Sequence, residues 1–408
     1  MGKERWTLAD HGRTFAQVNP MKFHSLSALL LSVCFTTIAL AEPASRDMEQ
    51  ALAKSLQAVG NNRLDIALNE VDSLLKAHPN FKLAQLVRGD LLMARSKPIS
   101  SFGDAPNAPR DRVQDLREEA NARLHRVQQQ QPIAVPKYLW QLDAQQRFAV
   151  VVDTSKSTLY LYENVKGEPR YVADYYISVG KKGSAKVSEG DQKTPLGVYF
   201  VDEHIPSAKL TDFYGPGAYP INYPNEWDKR QGRNGHGIWL HGTPSDTYSR
   251  PPRASNGCVV LSNNDFTHLG KSIQVGVTPV IITNHMEWSD ENDANERADL
   301  MSSIEKWRSD WESRETETYL THYARDFSTG STAFKGFAEQ KRKVNSGKTW
   351  IKVKLSKLSV FPYPSQQGLV VVNFEQDYSS NNLSNRMLKR QYWMKQDGRW
   401  KIIYEGSA

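Results

Sequence analysis

At 408 residues, 39% hydrophobic and 24% charged, the chain has an ordinary globular composition and does not fit the disordered, collagen-like or multi-span membrane classes. Its 52 Lys and Arg against 45 Asp and Glu give a formal charge of +7, spread along the chain rather than gathered in a basic tail, so nucleic acid is not indicated as a partner. Two cysteines supply neither a disulfide framework nor a zinc site of the paired-cysteine kind.

The first element is an export signal. From Met21 a short basic start at Lys22 leads into an apolar stretch from Leu26 to Leu40, and Ala39-Leu40-Ala41 offers a small-x-small cleavage site before Glu42. Residues 1–41 are therefore read as a signal segment with translation starting at Met21. An uncleaved anchor is the weaker reading, because the stretch is shorter than the roughly 20 apolar residues of a span; a lipoprotein site at Cys34 is weaker still, since the bulky Val33 precedes it. Cleavage leaves 48 basic against 43 acidic side chains, +5, and one thiol, Cys258.

Residues 42–131 form a helical prefix. Leu64, Ala67, Leu68, Val71, Leu74 and Leu75 share one helical face, Pro79 interrupts, and Leu83, Leu86, Val87 and Leu91 share a second, which predicts a helical hairpin. The pattern is similar to one tetratricopeptide repeat, but no second copy follows. A loop rich in Pro, Ser, Gly and Asn at 97–109 precedes a charged helix from about Asp111 to Gln131, expected to be solvated, that Pro132 and Pro136 close.

Strand patterns then dominate. Phe148 to Val152, Thr158 to Tyr162, Tyr171 to Val179, Gly197 to Val201, Gly237 to Leu240 and Val277 to Thr283 make residues 146–285 a mostly β domain with long loops, the kind that carry function. The acidic, Asn-rich run Glu287 to Asn295 is read as a separator. From Ile304 a long helix carries Trp307, Trp311, Tyr319 and Leu320, and strands follow at Thr349 to Leu355, Leu369 to Asp377, Lys389 to Lys395 and Trp400 to Tyr404, the last two joined by an Asp397-Gly398 turn. Residues 300–408 are thus an α+β cone. The fold class is multidomain: a helical N-terminal prefix, a mostly β central domain and a C-terminal α+β cone.

The chemistry is concentrated in His236-Gly-Ile-Trp-Leu-His241-Gly242 and, after a loop, Ser255-Asn256-Gly257-Cys258. A thiol attacks a carbonyl as thiolate, and at an ordinary pKa of about 8.5 it is mostly protonated at neutral pH. A neighbouring imidazole supplies the missing base. His241 is the expected proton acceptor and donor, Cys258 the nucleophile, and the Gly257 backbone the oxyanion donor. Ser255, Asn256, Tyr214, Arg253 and His236 are expected to line the substrate groove, with Gly215 and Tyr219 in nearby loops. His236 at strand spacing would face away from His241, and it does not form half of a zinc site because the spacing and a Glu are wrong for one. His322 and Asp326, read as four apart on a helix, fit a surface ion pair or an acid–base pair in the cone, and Trp307, Trp311 and Trp393 fit a core.

These residues resemble the L,D-transpeptidase (YkuD-type) family, whose signature is His-Gly, a variable loop and Ser/Thr-x-Gly-Cys. The run Val179-Gly180-Lys181, with Glu189-Gly190-Asp191-Gln192-Lys193-Thr194-Pro195-Leu196-Gly197, resembles a second element of that fold. Asn256 and Val260 depart from the pattern, standing where many members have His and a polar Asn or Arg. The resemblance implies a periplasmic enzyme acting on peptidoglycan stem peptides: Cys258 attacks the carbonyl of the third, diamino-acid residue of a tetrapeptide and expels the terminal D-Ala, and a backbone carbonyl at Gly242 orients the imidazole. It implies no cofactor. Transfer to a neighbouring stem, forming 3-3 crosslinks, is the first expectation; trimming to tripeptides by an L,D-carboxypeptidase is the alternative, and a non-catalytic cell-wall scaffold the third. The C-terminal segment is similar to the nuclear-transport-factor and SnoaL-like cone fold, which some cell-shape L,D-carboxypeptidases carry after a YkuD-type domain. The helical prefix or the cone is expected to meet any cell-wall or cell-shape protein partner.

Overall fold

The computed structural model describes residues 44–97, 102–103, 108–129 and 134–408, so residues 1–41, read above as a signal segment and including Cys34, lie outside the described residues. Among the described residues no helix is long and apolar enough to cross a membrane.

The prefix is built from the helices Ala44–Gly60, Leu64–Ala77, Lys82–Ala94 and Arg110–Gln128. Its apolar stripes meet in one core containing Leu52, Ala67, Val71, Leu74, Phe81, Leu83, Val87 and Leu91. The charged fourth helix departs from the solvated reading: Glu119 and Arg123 are 1% and 2% exposed. Arg123 donates to Glu119 at 2.8 and 2.9 Å, pairs with Glu49 of the first helix, and stacks over Tyr176 at 3.9 Å. Arg126 reaches Glu49 at 3.2 Å and also pairs with Asp174. A charged sequence is thus buried because its charges answer one another across the prefix and the β domain.

The β domain holds a five-stranded sheet in the order Glu168–Tyr176, Thr158–Val165, Phe148–Asp153, Pro279–Thr283, Gly197–Phe200. Phe148–Asp153 and Pro279–Thr283 run parallel, and the other pairings are antiparallel. A second sheet orders Val259–Val260, Trp239–His241, Gly217–Pro220 and Ile205–Pro206, and Val179–Gly180 pairs in parallel with Arg253–Ser255.

The acidic run read as a separator is instead the start of a helix, Glu291–Glu312: Asp290 and Asp293 exchange side-chain-to-backbone hydrogen bonds at 3.0 and 3.2 Å in a capping box. The cone sheet orders Thr332–Ala333, Tyr323–Thr329, Arg399–Ser407, Leu383–Gln396, Leu369–Ser380 and Ile351–Pro362. Asp397 and Gly398 have φ of 49° and 73°, the left-handed pair a two-residue hairpin turn requires. Period-two alternation gives this sheet two buried faces. Val370, Val372, Phe374, Trp393 and Ile402 face Trp307, Trp311 and the cone helices, whereas Leu369, Val371, Tyr392 and Ile403 face Val151, Tyr160, Phe200, Trp227 and Ile281 of the β domain. His322 and Asp326 are not on one helix: His322 Nε2 donates to Asp310 at 2.7 Å, and Asp326 lies in a strand and accepts from Arg230 at 2.6 Å.

Candidate active site

His241 ends a short strand whose parallel neighbour begins one residue after Cys258. Val260 stands opposite His241 and Val259 opposite Leu240. Ladder partners share a face, and so do alternate residues along a strand, so the register brings Cys258 to the face that carries His241.

The imidazole is fixed from below. His241 is 1% exposed, and its Nδ1 lies 2.6 Å from the carbonyl oxygen of Gly242. A carbonyl only accepts, so Nδ1 carries the proton and the Nε2 lone pair is left for a thiol or a leaving amine. The Gly242 peptide is itself locked: its N–H donates to the Tyr214 carbonyl at 3.1 Å, and the Thr243 N–H donates to Asn263 Oδ1 at 2.8 Å. A Cβ on residue 242 would stand 2.4 Å from that same Oδ1 and 2.7 Å from Pro216 Cδ, which is why glycine follows the histidine.

Cys258 is half-buried, and its thiol donates to the Gly237 carbonyl at 3.4 Å. Burial pushes the thiol up to about 11, against the Trp239 amide and the charges of Arg250 and Lys186, which pull it down. Burial likewise lowers His241 to about 4, opposed by its hydrogen bond to Gly242 and reinforced by the charge of Arg250. Both groups are therefore neutral at pH 7. A neutral pair is suited to general-base deprotonation during attack by the thiol, rather than to a stored thiolate–imidazolium pair.

The turn before the cysteine is braced by the upstream glycine-rich element. Thr194 Oγ1 donates to the Gly257 carbonyl at 3.0 Å and accepts the Gly180 N–H at 2.9 Å. The Lys181 N–H donates to the Ser255 carbonyl at 2.8 Å. Gly257 has φ of +127°, and a Cβ there would lie 2.8 Å from the Lys193 carbonyl.

Several expected roles change. The Gly257 N–H donates to Ser255 Oγ at 3.1 Å, which takes it away from the oxyanion position expected of it. Ser255 is a brace rather than a groove residue, since the same Oγ donates to the Cys258 carbonyl at 2.6 Å. Arg253 is turned away to Glu118 of the prefix at 2.9 Å, an ion pair that satisfies the charge expected to meet substrate. His236 is not on a strand, because the segment folds through Gly235 and Gly237 at positive φ; it is exposed, 3.7 Å from Glu189. Asn256 is exposed, two residues before Cys258. Tyr214 lies at the site, its ring 5.1 Å from that of His241 and 4.9 Å from that of Trp239. Among the described residues no group of three or more His, Cys, Asp and Glu side chains could hold a metal ion.

Sequence reasoning missed Arg250 and Thr194. Thr194 lies within the second motif, where its hydroxyl gave no hint of the two backbone groups it joins. Arg250 is one of two arginines in the loop between His241 and Cys258, and composition alone does not choose between them.

The family described as the L,D-transpeptidase catalytic domain (YkuD) matches residues 147–282. The family described as the Cds6 C-terminal NTF2-like domain matches residues 299–406. Among solved structures, the chain is similar to Bd1075 of Bdellovibrio bacteriovorus at 30% identity, covering 67% of this chain and 98% of that one, with a TM-score of 0.60. It is also similar to the helical cell shape determining protein Pgp2 of Campylobacter jejuni at 28% identity, covering 68% of this chain and 96% of that one, with a TM-score of 0.57. No curated protein sequence matches it.

Proposed function

We propose, starting from the fact that this chain belongs to the YkuD-type L,D-transpeptidase family and carries a C-terminal NTF2-like domain, that it is a periplasmic cysteine enzyme that trims peptidoglycan stem peptides. The observation that carries the chemistry is the His241 Nδ1 hydrogen bond to Gly242, which leaves Nε2 as the free base on the face that Cys258 shares.

In the reaction the Cys258 sulfur bonds to the carbonyl carbon of the third stem residue while His241 Nε2 takes the thiol proton. Collapse of the tetrahedral adduct breaks the bond to the terminal D-Ala, and His241 returns the proton to the departing amine. The thioester then meets its acceptor. With water, deprotonated by the same His241, the products are a tripeptide and the free enzyme. The pairing of a YkuD-type domain with an NTF2-like cone, as in the cell-shape L,D-carboxypeptidases this chain resembles, supports hydrolysis, and the similarity to Pgp2, a helical cell shape determining protein, over 96% of that chain fits it. A second reading, transfer to the side-chain amine of a neighbouring stem with formation of a 3-3 crosslink, is favoured by the description of the matching family.

Mass spectrometry of muropeptides after incubating the mature chain, and its Cys258→Ala variant, with tetrapeptide monomers separates these readings. Tripeptides without dimers are expected. Dimers that need Cys258 would establish transfer, and no Cys258-dependent product at all would leave a non-catalytic scaffold as the better account.

A further inference from the structure

The loop between His241 and Cys258 is gripped by the helical prefix at three anchors, Tyr248, Ser249 and Arg253. The Tyr248 ring lies 4.6 Å from that of His78 and 4.8 Å from that of Phe81, packed onto the prefix core. Ser249 Oγ donates to Oε1 of the buried Glu119 at 2.6 Å. Arg253 donates to Glu118 at 2.9 Å.

Arg250 stands among these anchors. The Tyr176 hydroxyl donates to its carbonyl at 3.0 Å, which fixes its backbone. Its guanidinium carbon lies 4.4 Å from the ring centroid of Phe213, which is 47% exposed and whose ring is 6.0 Å from that of His241. The charges of Arg250 and Lys186 reach the Cys258 thiol, and Arg253 lies further along the same loop. Lys186 is committed to Asp191 at 2.8 Å and Arg253 to Glu118, whereas Arg250 is held against an aromatic face. Burial dominates the titration of both reacting groups, but the charge of Arg250 reaches both, favouring the Cys258 thiolate and disfavouring a protonated His241.

We propose that Arg250 is a specificity-determining residue that binds the free C-terminal carboxylate of the stem peptide's last residue, and that the helical prefix holds it in place through Tyr248, Ser249 and Arg253. The proposal rests on the stem-peptide reading above. The chemistry is direct: the carboxylate of the departing residue is attached to the carbon that bears the scissile nitrogen, so a substrate seated on Cys258 and His241 brings that charge close to them. A guanidinium receives it with two parallel N–H···O bonds, and the Phe213 face keeps the fork oriented. Stems whose fourth residue is extended, amidated or crosslinked through its carboxyl lack the charge and are disfavoured. The prefix thereby becomes part of substrate selection without touching substrate.

The test uses the mature chain with two substrates, a stem tetrapeptide and the same peptide ending in a carboxamide, and follows release of the last residue. The wild type is expected to prefer the acid by roughly 10- to 100-fold in kcat/KM, the range of a charged hydrogen-bonded pair. Arg250→Gln is expected to collapse that ratio mainly through KM on the acid, and Arg250→Lys to restore part of it. Tyr248→Ala should lower the ratio in the same direction while Tyr248→Phe, which keeps the ring, holds it. A wild type that treats acid and amide alike, or an Arg250→Gln variant that slows both equally, overturns the proposal while leaving the stem-peptide reading intact. Absence of Cys258-dependent release from either peptide overturns that reading, and the proposal with it.

Discussion

His241 hydrogen-bonds to the residue next to it: its Nδ1 lies 2.6 Å from the Gly242 carbonyl oxygen, so the imidazole takes its orientation from a peptide bond rather than from a carboxylate. Among the described residues no acidic partner acts on the ring to favour its charged form, and burial holds it down to about 4. The acid limb of kcat/KM is therefore expected near pH 4, well below the ordinary histidine value of about 6.5. A pH profile on a tetrapeptide checks this, and an acid limb near 6.5 would contradict the neutral pair.

Cys258 answers to the same environment. With the thiol pushed up to about 11, mainly by burial, alkylation by iodoacetamide is expected to be slow at pH 7 and to climb steadily toward pH 11. A plateau reached near neutrality would show a preformed thiolate.

Folding stability should follow His241 as well. Its folded pKa lies below the unfolded one, so the unfolded chain binds the extra proton first, and stability is lost as pH falls from about 6.5 to about 4. Urea unfolding of the wild type and His241→Gln across that window is expected to show a weaker pH dependence in the variant.

Thr194 joins two backbone groups from separate segments, the Gly180 N–H and the Gly257 carbonyl. Thr194→Val leaves both without a partner, and a loss of about 1–3 kcal/mol is expected, together with lower kcat. Thr194→Ser keeps the hydroxyl and should recover most of both. A mild Thr194→Val beside a severe Thr194→Ser would assign the role to the methyl group instead.

Arg123 is 2% exposed between Glu49 and Glu119. Removing it leaves two buried carboxylates sharing fewer cations, so Arg123→Ala should cost about 3–5 kcal/mol in urea unfolding. A loss below about 1 kcal/mol would mean that water reaches this network.

The strand and helix patterns were legible where one apolar period prevailed, as at Phe148–Asp153 and in the alternation of Leu369–Ser380. Cys258 and His241 stood out because a His-Gly followed by a loop and Ser-x-Gly-Cys is chemically conspicuous. What the sequence hid were pairings. Glu119 and Arg123 look like solvent residues until Glu49 and Ser249 arrive from distant segments. The acidic run at 287–295 looks like a linker until Asp290 and Asp293 close on each other as a cap. Arg253 looked like a substrate residue and Arg250 like none, because only the fold sends the first to Glu118 and leaves the second beside Phe213.

The doubly covered cone sheet sets an order of events during synthesis. Val151, Tyr160 and Phe200 leave the ribosome long before Val371, Tyr392 and Ile403, the residues that cover them. Until the last strand, Arg399–Ser407, has been made, the nascent chain carries an uncapped apolar wall on its catalytic half. A message truncated late in the gene would thus yield a product that keeps Cys258 and His241 but has a sticky flank, one destined for aggregation or proteolysis.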